Sequence, residues 1–263
     1  MPVIGFIGTG NMGGALARAA ARSGQETELL LSNRTREKAE RLCREIGGRV
    51  TDALTAAAEA DWLFLGVKPH MMADLIASIR GTLDAREKKP VAVSMAAGTD
   101  LARLKELLGS AIPVIRIMPN TPAAVGEGVT LWTAGDTVTE AQKEEFRAIL
   151  AASGTLSEVD EHLMEAGTGL TGCGPAYACM FMEALADGAV ACGLPRKLAV
   201  EYAARTLLGT AKLLLETGEH PGALKDAVCS PGGSTIQGVR ALERGGFRSA
   251  VTEAVIAAYE KKF

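Results

Sequence analysis

Residues 3–13, Val-Ile-Gly-Phe-Ile-Gly-Thr-Gly-Asn-Met-Gly, place a GxGxxG motif directly after an apolar run and before an Ala-rich stretch. In this setting the first glycine permits a tight turn, the second lets backbone approach a pyrophosphate, and the third lets helix and strand pack closely. The N-terminus of the helix offers free N–H groups to phosphates. An empty glycine turn is the alternative. The motif predicts a dinucleotide site formed by Gly8, Thr9, Gly10, Asn11 and Met12.

Short apolar runs alternate with helical patterns over about the first 155 residues. Such alternation predicts βαβ units and a parallel sheet that is buried on both faces. The predicted strands are 3–8, 28–32, 62–67, 91–96 and 114–118, and the predicted helices are 12–23, 36–46, 71–79, 101–108 and 139–153, the last ended by Gly154.

Strand-like runs disappear after about residue 163, and long helical patterns follow. The sequence therefore predicts an α/β fold: an N-terminal Rossmann-type, doubly wound parallel sheet in residues 1–160, then an all-helical domain in residues 161–263. Residues 175–193 are apolar nearly all round, and such a helix must be buried on most sides. We expect burial against a second copy of the chain, which makes the helical domain a dimerisation domain; the alternative is packing inside a monomer.

The overall composition excludes several classes of partner. Hydrophobic residues make up 48%, charged residues 22%, and the net charge is −3, which argues against nucleic acid. No apolar run of about 18 residues is free of charge, so no membrane span is expected. The five cysteines contain no CxxC pair and the three histidines lie far apart, which predicts a cytoplasmic protein without disulfides or a metal site.

The second predicted strand ends without an acidic side chain. NAD-dependent enzymes usually carry Asp or Glu here for the ribose hydroxyls, whereas this chain has Ser32, Asn33 and Arg34. Because arginine can pair with a phosphate through two N–H groups, these residues predict that NADPH is preferred and NADH is possible. The alternative is that Arg34 and Arg36 are solvated charges beside a helix capped by Thr35.

Three further loops follow predicted strands, at the sheet edge where ligands of open α/β sheets bind. Lys68 could contact phosphate or ribose, or be an ordinary surface lysine, while Asn120 supplies amide dipoles near the expected nicotinamide. The further predicted cofactor contacts are Val67, Lys68, Pro69, Ala96, Ala97, Gly98 and Asn120.

Six motifs in the chain together resemble one enzyme family. They are GFIGTGNMGGA, VKPH, SMAAGT, RIMPNTPAAVGEGVT, TGLTGCGPAYACMFMEALADGAVACGLPR and GALKDAVCSPGGSTIQGVRALE. In this order and spacing, from residue 4 to about 256, they resemble pyrroline-5-carboxylate reductase, and KDAVCSPGGST is the most specific of them. The chain departs from the family's usual GSGPAY by placing Cys173 where serine is usual.

The resemblance implies a fold, an assembly and a reaction. The implied fold is a Rossmann domain followed by a helical domain that interlocks two subunits, and many members form rings of five dimers. The implied reaction reduces 1-pyrroline-5-carboxylate, a cyclic imine, to L-proline. The implied substrate pocket lies between the nicotinamide and the SPGGST loop.

The SPGGST loop offers groups that suit this substrate. Its glycines expose backbone N–H groups at a helix start, so Gly232, Gly233, Ser234 and Thr235 are the candidate carboxylate anchor. The hydroxyl of Thr235 can bond the ring nitrogen, and the resemblance points to the same residue as catalytic. A capping box from Ser234 to Gln237 is the structural alternative.

Hydride transfer to a protonated imine needs orientation more than a strong acid or base. The resemblance also supports Glu161 as a substrate contact, the alternative being a charge on a helix surface. A β-hydroxyacid dehydrogenase is a rival, but it would need a catalytic lysine, and the segment 175–193 has none. A dinucleotide-binding sensor, a second rival, would have no use for the SPGGST loop.

Overall fold

The computed structural model describes residues 1–261 and divides the chain into two compact units. The first unit comprises Met1–Gly172 and the second Cys173–Glu260. The contacts thus divide the chain after Gly172, and the boundary expected after residue 160 stays a prediction. The segment between these two positions is helical in sequence, yet it packs with the first unit.

The first unit is built on one eight-stranded sheet with the order β3-β2-β1-β4-β5-β6-β7-β8. Neighbouring strands run parallel except for the antiparallel pair β6–β7. The strands are β1 Val3–Ile7, β2 Glu28–Ser32, β3 Arg49–Val50, β4 Trp62–Leu65, β5 Val91–Ser94, β6 Val114–Met118, β7 Gly128–Ala134 and β8 Gly154–Glu158. The helices are α1 Asn11–Arg22, α2 Arg36–Ile46, α3 Ala53–Glu59, α4 Met72–Ala85, α5 Leu101–Leu108, α6 Glu140–Leu150 and α7 Met164–Thr171.

Helices cover both faces of this sheet, because its central strands are apolar on both sides. One face holds an aromatic cluster in which the rings of Phe6 and Phe64 stack with centroids 4.6 Å apart. On the opposite face, Leu63 and Leu65 of β4 pack with the inner sides of α3 and α4. The doubly wound α/β fold expected from the sequence is therefore confirmed.

The predicted helix 139–153 is wrong at its C-terminal end. Helix α6 stops at Leu150, a short 3₁₀ turn spans Ala151–Ser153, and Gly154 opens strand β8 instead of capping a helix. Strands β3, β7 and β8 and helix α3 were not predicted. Strand β8 has the sequence GTLSE and is half exposed, so it lacks the apolar run by which the central strands were found.

The second unit contains helices alone. They are α8 Gly174–Ala191, α9 Arg196–Thr217, α10 Pro221–Ala227, α11 Ser234–Arg244 and α12 Phe247–Glu260. Helices α8 and α9 pack on each other, and α9 is followed by Gly218 in the left-handed conformation. The buried positions are limited to three alanines: Ala186, Ala199 and Ala203. Within residues 1–261 no helix is both long and apolar enough to cross a bilayer.

Candidate active site

The glycine loop between β1 and α1 has the geometry that a dinucleotide requires. Gly8 lies at φ +102°, and its N–H donates to the carbonyl of Ser32 over 2.8 Å. A Cβ at Gly13 would lie 2.0 Å from the carbonyl oxygen of Gly8, so only glycine lets α1 approach this closely. At Gly10 a Cβ would meet nothing within 4 Å, which leaves that backbone open to a ligand.

Two cavities flank this loop. The larger, of about 730 Å³, brings together the loop glycines, the tip of β2 and the loop after β4. Seven of the predicted cofactor residues line it: Gly8, Gly10, Ser32, Asn33, Arg34, Val67 and Lys68. The smaller, of about 380 Å³, is lined by the predicted Thr9, Gly10, Asn11 and Met12.

The side chain of Thr9 supports the fit of a ligand to this loop. Its Oγ1 is buried and has no hydrogen-bond partner within the described part of the chain. An unpartnered buried hydroxyl is unfavourable, and a phosphate oxygen or ordered water at the helix N-terminus would satisfy it. The residues present therefore fit the pyrophosphate of a dinucleotide.

The cations around the larger cavity differ in their pairing. Arg36 pairs with Glu40 at 2.9 Å, whereas Arg34 and Lys38 form no ion pair within residues 1–261. Both therefore remain available to a phosphate, and Lys38 lines both cavities. Lys38 was missed in the sequence, although it follows Arg34 by four residues and lies in the first turn of α2.

The cap of α2 by Thr35, which was part of the alternative for Arg34 and Arg36, does not form through the side chain. Thr35 occupies the N-cap position, but its side chain makes no capping hydrogen bond. Instead, its carbonyl accepts a bond of 3.0 Å from the amide of Asn33. This bond holds the tip of β2 against the start of α2, where two predicted cofactor residues lie.

The other predicted cofactor residues lie outside both cavities. Pro69 opens a 3₁₀ turn, Ala96 is buried, and Gly98 has φ +70° in the loop after β5. Asn120 is buried, accepts from the N–H of Val129 over 2.8 Å and donates to the carbonyl of Thr171 over 3.0 Å. Its amide thus holds backbone, and the roles of Pro69, Ala96, Ala97, Gly98 and Asn120 toward a cofactor stay predictions.

Glu161 lies in an ionic cluster of the first unit. Its Oε1 accepts from the N–H of Leu101 over 2.7 Å and from Nη1 of Arg116 over 3.3 Å. Nη2 of Arg116 bonds Glu165 in the same cluster. The carboxylate of Glu161 is about one-third exposed, and its contact with substrate stays a prediction.

The SPGGST segment forms the start of helix α11 in the second unit. Gly232 has φ +72°, Gly233 is the N-cap residue, and Ser234 is the first helical residue. The capping box from Ser234 to Gln237, which was the structural alternative, does not form, because the N-cap residue is Gly233 and no side chain caps this helix. The structure thus removes the purely structural explanation for Ser234.

Fewer backbone N–H groups are free at this helix start than the sequence suggested. The N–H of Gly233 donates to the carbonyl of Ser230 over 3.0 Å, so it is already occupied. The first N–H groups of a helix have no intrahelical acceptor, which leaves those of Ser234 and Thr235 for a ligand. Both residues are exposed.

Comparison with known proteins identifies the family. A family model described as "Pyrroline-5-carboxylate reductase dimerisation" matches residues 161–262, and one described as "NADP oxidoreductase coenzyme F420-dependent" matches residues 3–98. The pyrroline-5-carboxylate reductase of Escherichia coli K12 is 41% identical over 261 residues, which cover 98% of this chain and 96% of that protein. The chain belongs to the pyrroline-5-carboxylate reductase family.

Further relatives agree along the whole length. The pyrroline-5-carboxylate reductase of Synechocystis is 42% identical over 98% of this chain and 96% of its own. The crystal structure of the Plasmodium falciparum enzyme with NADP bound has a TM-score of 0.88 and 29% identity, and covers 99% of this chain and 97% of that one. The predicted membership of the pyrroline-5-carboxylate reductase family is confirmed. The matched dimerisation model supports association of identical chains.

Proposed function

We propose that this chain reduces 1-pyrroline-5-carboxylate to L-proline, the last step of proline biosynthesis, by transfer of a hydride from NADPH to the imine carbon. It is an NAD(P)H-dependent reductase, as its family membership shows. The observation that carries the assignment is the full-length match to these reductases, which includes the glycine-flanked start of α11 as well as the dinucleotide loop.

The cofactor is NADPH, with NADH less preferred. The loop Gly8–Met12 holds the pyrophosphate through the N-terminus of α1, and the hydroxyl of Thr9 gains a partner there. Arg34 and Lys38 bind the 2′-phosphate, supported by their lack of an ion pair within the described residues and by their place on one cavity. The loops 67–69 and 96–98 and the residue Asn120 contact the ribose and nicotinamide half.

The carboxylate of the substrate is held at the start of α11. The free N–H groups of Ser234 and Thr235 at this helix N-terminus favour a bound negative charge, and Gly232 and Gly233 let the ligand approach the backbone. This anchor fixes the orientation of the substrate ring.

Thr235 is the candidate catalytic residue. When bound, NADPH supplies the hydride, and the ring nitrogen changes from iminium to amine as the carbon is reduced. The hydroxyl of Thr235 can donate a hydrogen bond to the lone pair that forms on nitrogen as the iminium becomes an amine, so this bond strengthens as the hydride is transferred. This role requires no residue with a shifted pKa, because protonated imine is already electrophilic.

The chain forms at least a homodimer, and the dimers assemble further into a ring. The apolar, exposed helices of the second unit support the dimer. The five cysteines of the described chain form no disulfide, which supports action in the cytoplasm.

Two substitutions at one position test the reaction and the catalytic residue together. We expect Thr235→Ala to lower kcat about 10- to 100-fold, the effect of one hydrogen bond strengthened in the transition state. Thr235→Ser keeps the hydroxyl and should recover most of the rate, while the Kd for NADPH should not change in either variant. The measurement is NADPH oxidation with the imine and detection of proline.

Each result has a distinct meaning. Unchanged kinetics in a folded Thr235→Ala protein would remove Thr235 from the mechanism and leave the reaction standing. Failure of the unmutated protein to form proline, with NADPH still bound, would overturn the substrate assignment.

A further inference from the structure

One buried arginine joins the two ends of the loop between β5 and α5. This loop, residues 95–100, contains the predicted cofactor contacts Ala96, Ala97 and Gly98. At its start, Ser94 of β5 lies opposite Arg116 of β6 in the parallel ladder. At its end, the N–H of Leu101 donates to the carboxylate of Glu161, which is itself paired with Arg116.

The burial of Arg116 makes this connection firm. The residue is 2% exposed, and its guanidinium bonds Glu161 through Nη1 and Glu165 through Nη2. A charge buried to this degree needs its carboxylate partners, because leaving it unpaired is strongly unfavourable. The position of Glu161, and with it the start of α5, is therefore fixed from inside the sheet.

The start of loop 95–100 is held by a bond of 3.3 Å from the N–H of Met95 to the carbonyl of Leu65 and by the burial of Ala96, whereas its end depends on fewer contacts. Asp100 caps α5 by accepting from the N–H of Arg103 over 2.7 Å, and Thr99 donates to the carbonyl of Ala96 over a long 3.4 Å. The bond from Leu101 to Glu161 is the link that ties the loop's end to a residue sixty positions away. Its loss would free one end of a loop that begins at the carboxyl end of a central strand.

We infer that Arg116 and Glu161 are positioning residues for the dinucleotide, acting by holding loop 95–100 in the shape that binds it. The inference rests on the proposed function, since it takes this loop as part of the NADPH site. It assigns Glu161 an effect on cofactor affinity, in contrast to the contact with the imine that the sequence suggested.

Matched alanine substitutions separate this role from general damage to the ionic cluster. Glu161 and Glu165 both pair with Arg116, but only Glu161 also holds Leu101. We expect Glu161→Ala to raise the Kd for NADPH about 10-fold in the absence of substrate, and Glu165→Ala to change it less than about 2-fold. Glu161→Gln keeps an oxygen for the Leu101 N–H and should restore most of the affinity.

A substitution on the other side of the hydrogen bond gives an independent test. Leu101→Pro removes the donor N–H at the first position of a helix, where proline is well tolerated, and Asp100 before it is already extended. Leu101→Ala keeps the N–H and is the matched control for the lost side chain. We expect Leu101→Pro to weaken NADPH binding as Glu161→Ala does, and Leu101→Ala to weaken it less.

Hydrogen–deuterium exchange of the peptide around residues 96–104, followed in the full-length protein, should be faster in Glu161→Ala than in Glu165→Ala. A higher KM for the imine with unchanged Kd for NADPH would overturn the inference and make Glu161 a substrate contact. Equal effects of Glu161→Ala and Glu165→Ala would also overturn it. Failure of the proposed function would appear instead in the unmutated protein, as loss of NADPH binding or as binding of NADPH without formation of proline.

Discussion

The two units of the chain stabilise themselves in different ways. In the first unit the large aromatic and aliphatic side chains of the central strands are fully buried between sheet and helices. In the second unit the buried side chains are three alanines. Its exposed large apolar residues are Met180, Leu185, Leu198, Val200, Tyr202, Leu208, Leu213, Leu215, Val228, Leu242, Phe247, Val251, Ile256 and Tyr259.

This difference shows where each unit obtains its hydrophobic stabilisation. Burying one large apolar side chain contributes roughly 1.5–3 kcal/mol, and the first unit gains that contribution within the chain. The second unit keeps its apolar surface for association, consistent with the dimerisation model that matches it. Contacts within a single chain therefore account for the hydrophobic stabilisation of the first unit.

The largest expected effect concerns the apolar surface of the second unit. Met180 on α8 is 69% exposed in the single chain. If this surface is covered by a second copy, Met180→Asp buries an unpaired carboxylate, which costs several kcal/mol and should weaken association at least about 100-fold. The mass of the assembly, measured by light scattering at several concentrations, checks this.

A matched substitution on the first unit is the control for added charge. Leu54 at the start of α3 is 51% exposed, a similar leucine-sized apolar group on the unit that has its own core. We expect Leu54→Asp to leave the mass unchanged. If both variants dissociate, or neither does, the difference drawn between the two units is wrong.

An intermediate effect is expected in the glycine loop of the first unit. Gly13→Ala would force a methyl group against the carbonyl of Gly8, and such overpacking typically costs 1–3 kcal/mol of stability. Gly10→Ala meets no protein atom and should leave the melting temperature unchanged while it weakens NADPH binding. Thermal unfolding without ligand and titration with NADPH separate the two variants.

Equal losses of stability in Gly13→Ala and Gly10→Ala would show that the loss does not come from contact of a methyl group at position 13 with the carbonyl of Gly8. Equal losses of affinity with no change in stability would show that the close approach at Gly13 does not matter to the fold. Neither variant should alter the mass of the assembly, because the first unit does not depend on association for its core.

The smallest effect is expected at the tip of β2. Arg34 has no ion pair within residues 1–261, whereas Arg36 is held by Glu40. We expect Arg34→Ala to raise the KM for NADPH about 10-fold without changing that for NADH, since one charge-assisted contact with the 2′-phosphate is lost. Arg36→Ala should change either value less than about 2-fold. A parallel rise for both cofactors would remove the 2′-phosphate from the role of Arg34.

The central part of the fold was predictable because its signals are strong and local. Strands β1 and β4 are continuous apolar runs, β5 and β6 are apolar apart from Ser94 and Arg116, and the glycine motif marks the turn into α1. Strands β3 and β8 were missed because edge strands are short or half exposed and so lack such runs. Strand β7 runs antiparallel to β6, an arrangement that the βαβ pattern does not indicate.

The part of the candidate site that depends on glycine backbone could be predicted from the sequence. The hydrogen-bond partners of its polar side chains could not. The glycines of the dinucleotide loop were found, but the sequence does not show that Asn120 is engaged with Val129 and Thr171. It also placed Glu161 beside substrate without revealing its bonds to Leu101 and Arg116. Three of these four contacts join residues at least 45 positions apart in sequence, which no local pattern records.

The carbonyl of Gly8 restricts how this loop can change over time. A Cβ at Gly13 would lie 2.0 Å from its oxygen, one at Gly66 would lie 2.5 Å from it, and Gly8 itself would clash with Gly66. No one of the three can acquire a side chain while the others keep their positions. A side chain at any one of these three positions therefore requires a backbone segment to move, so the three glycines restrict one another's substitution.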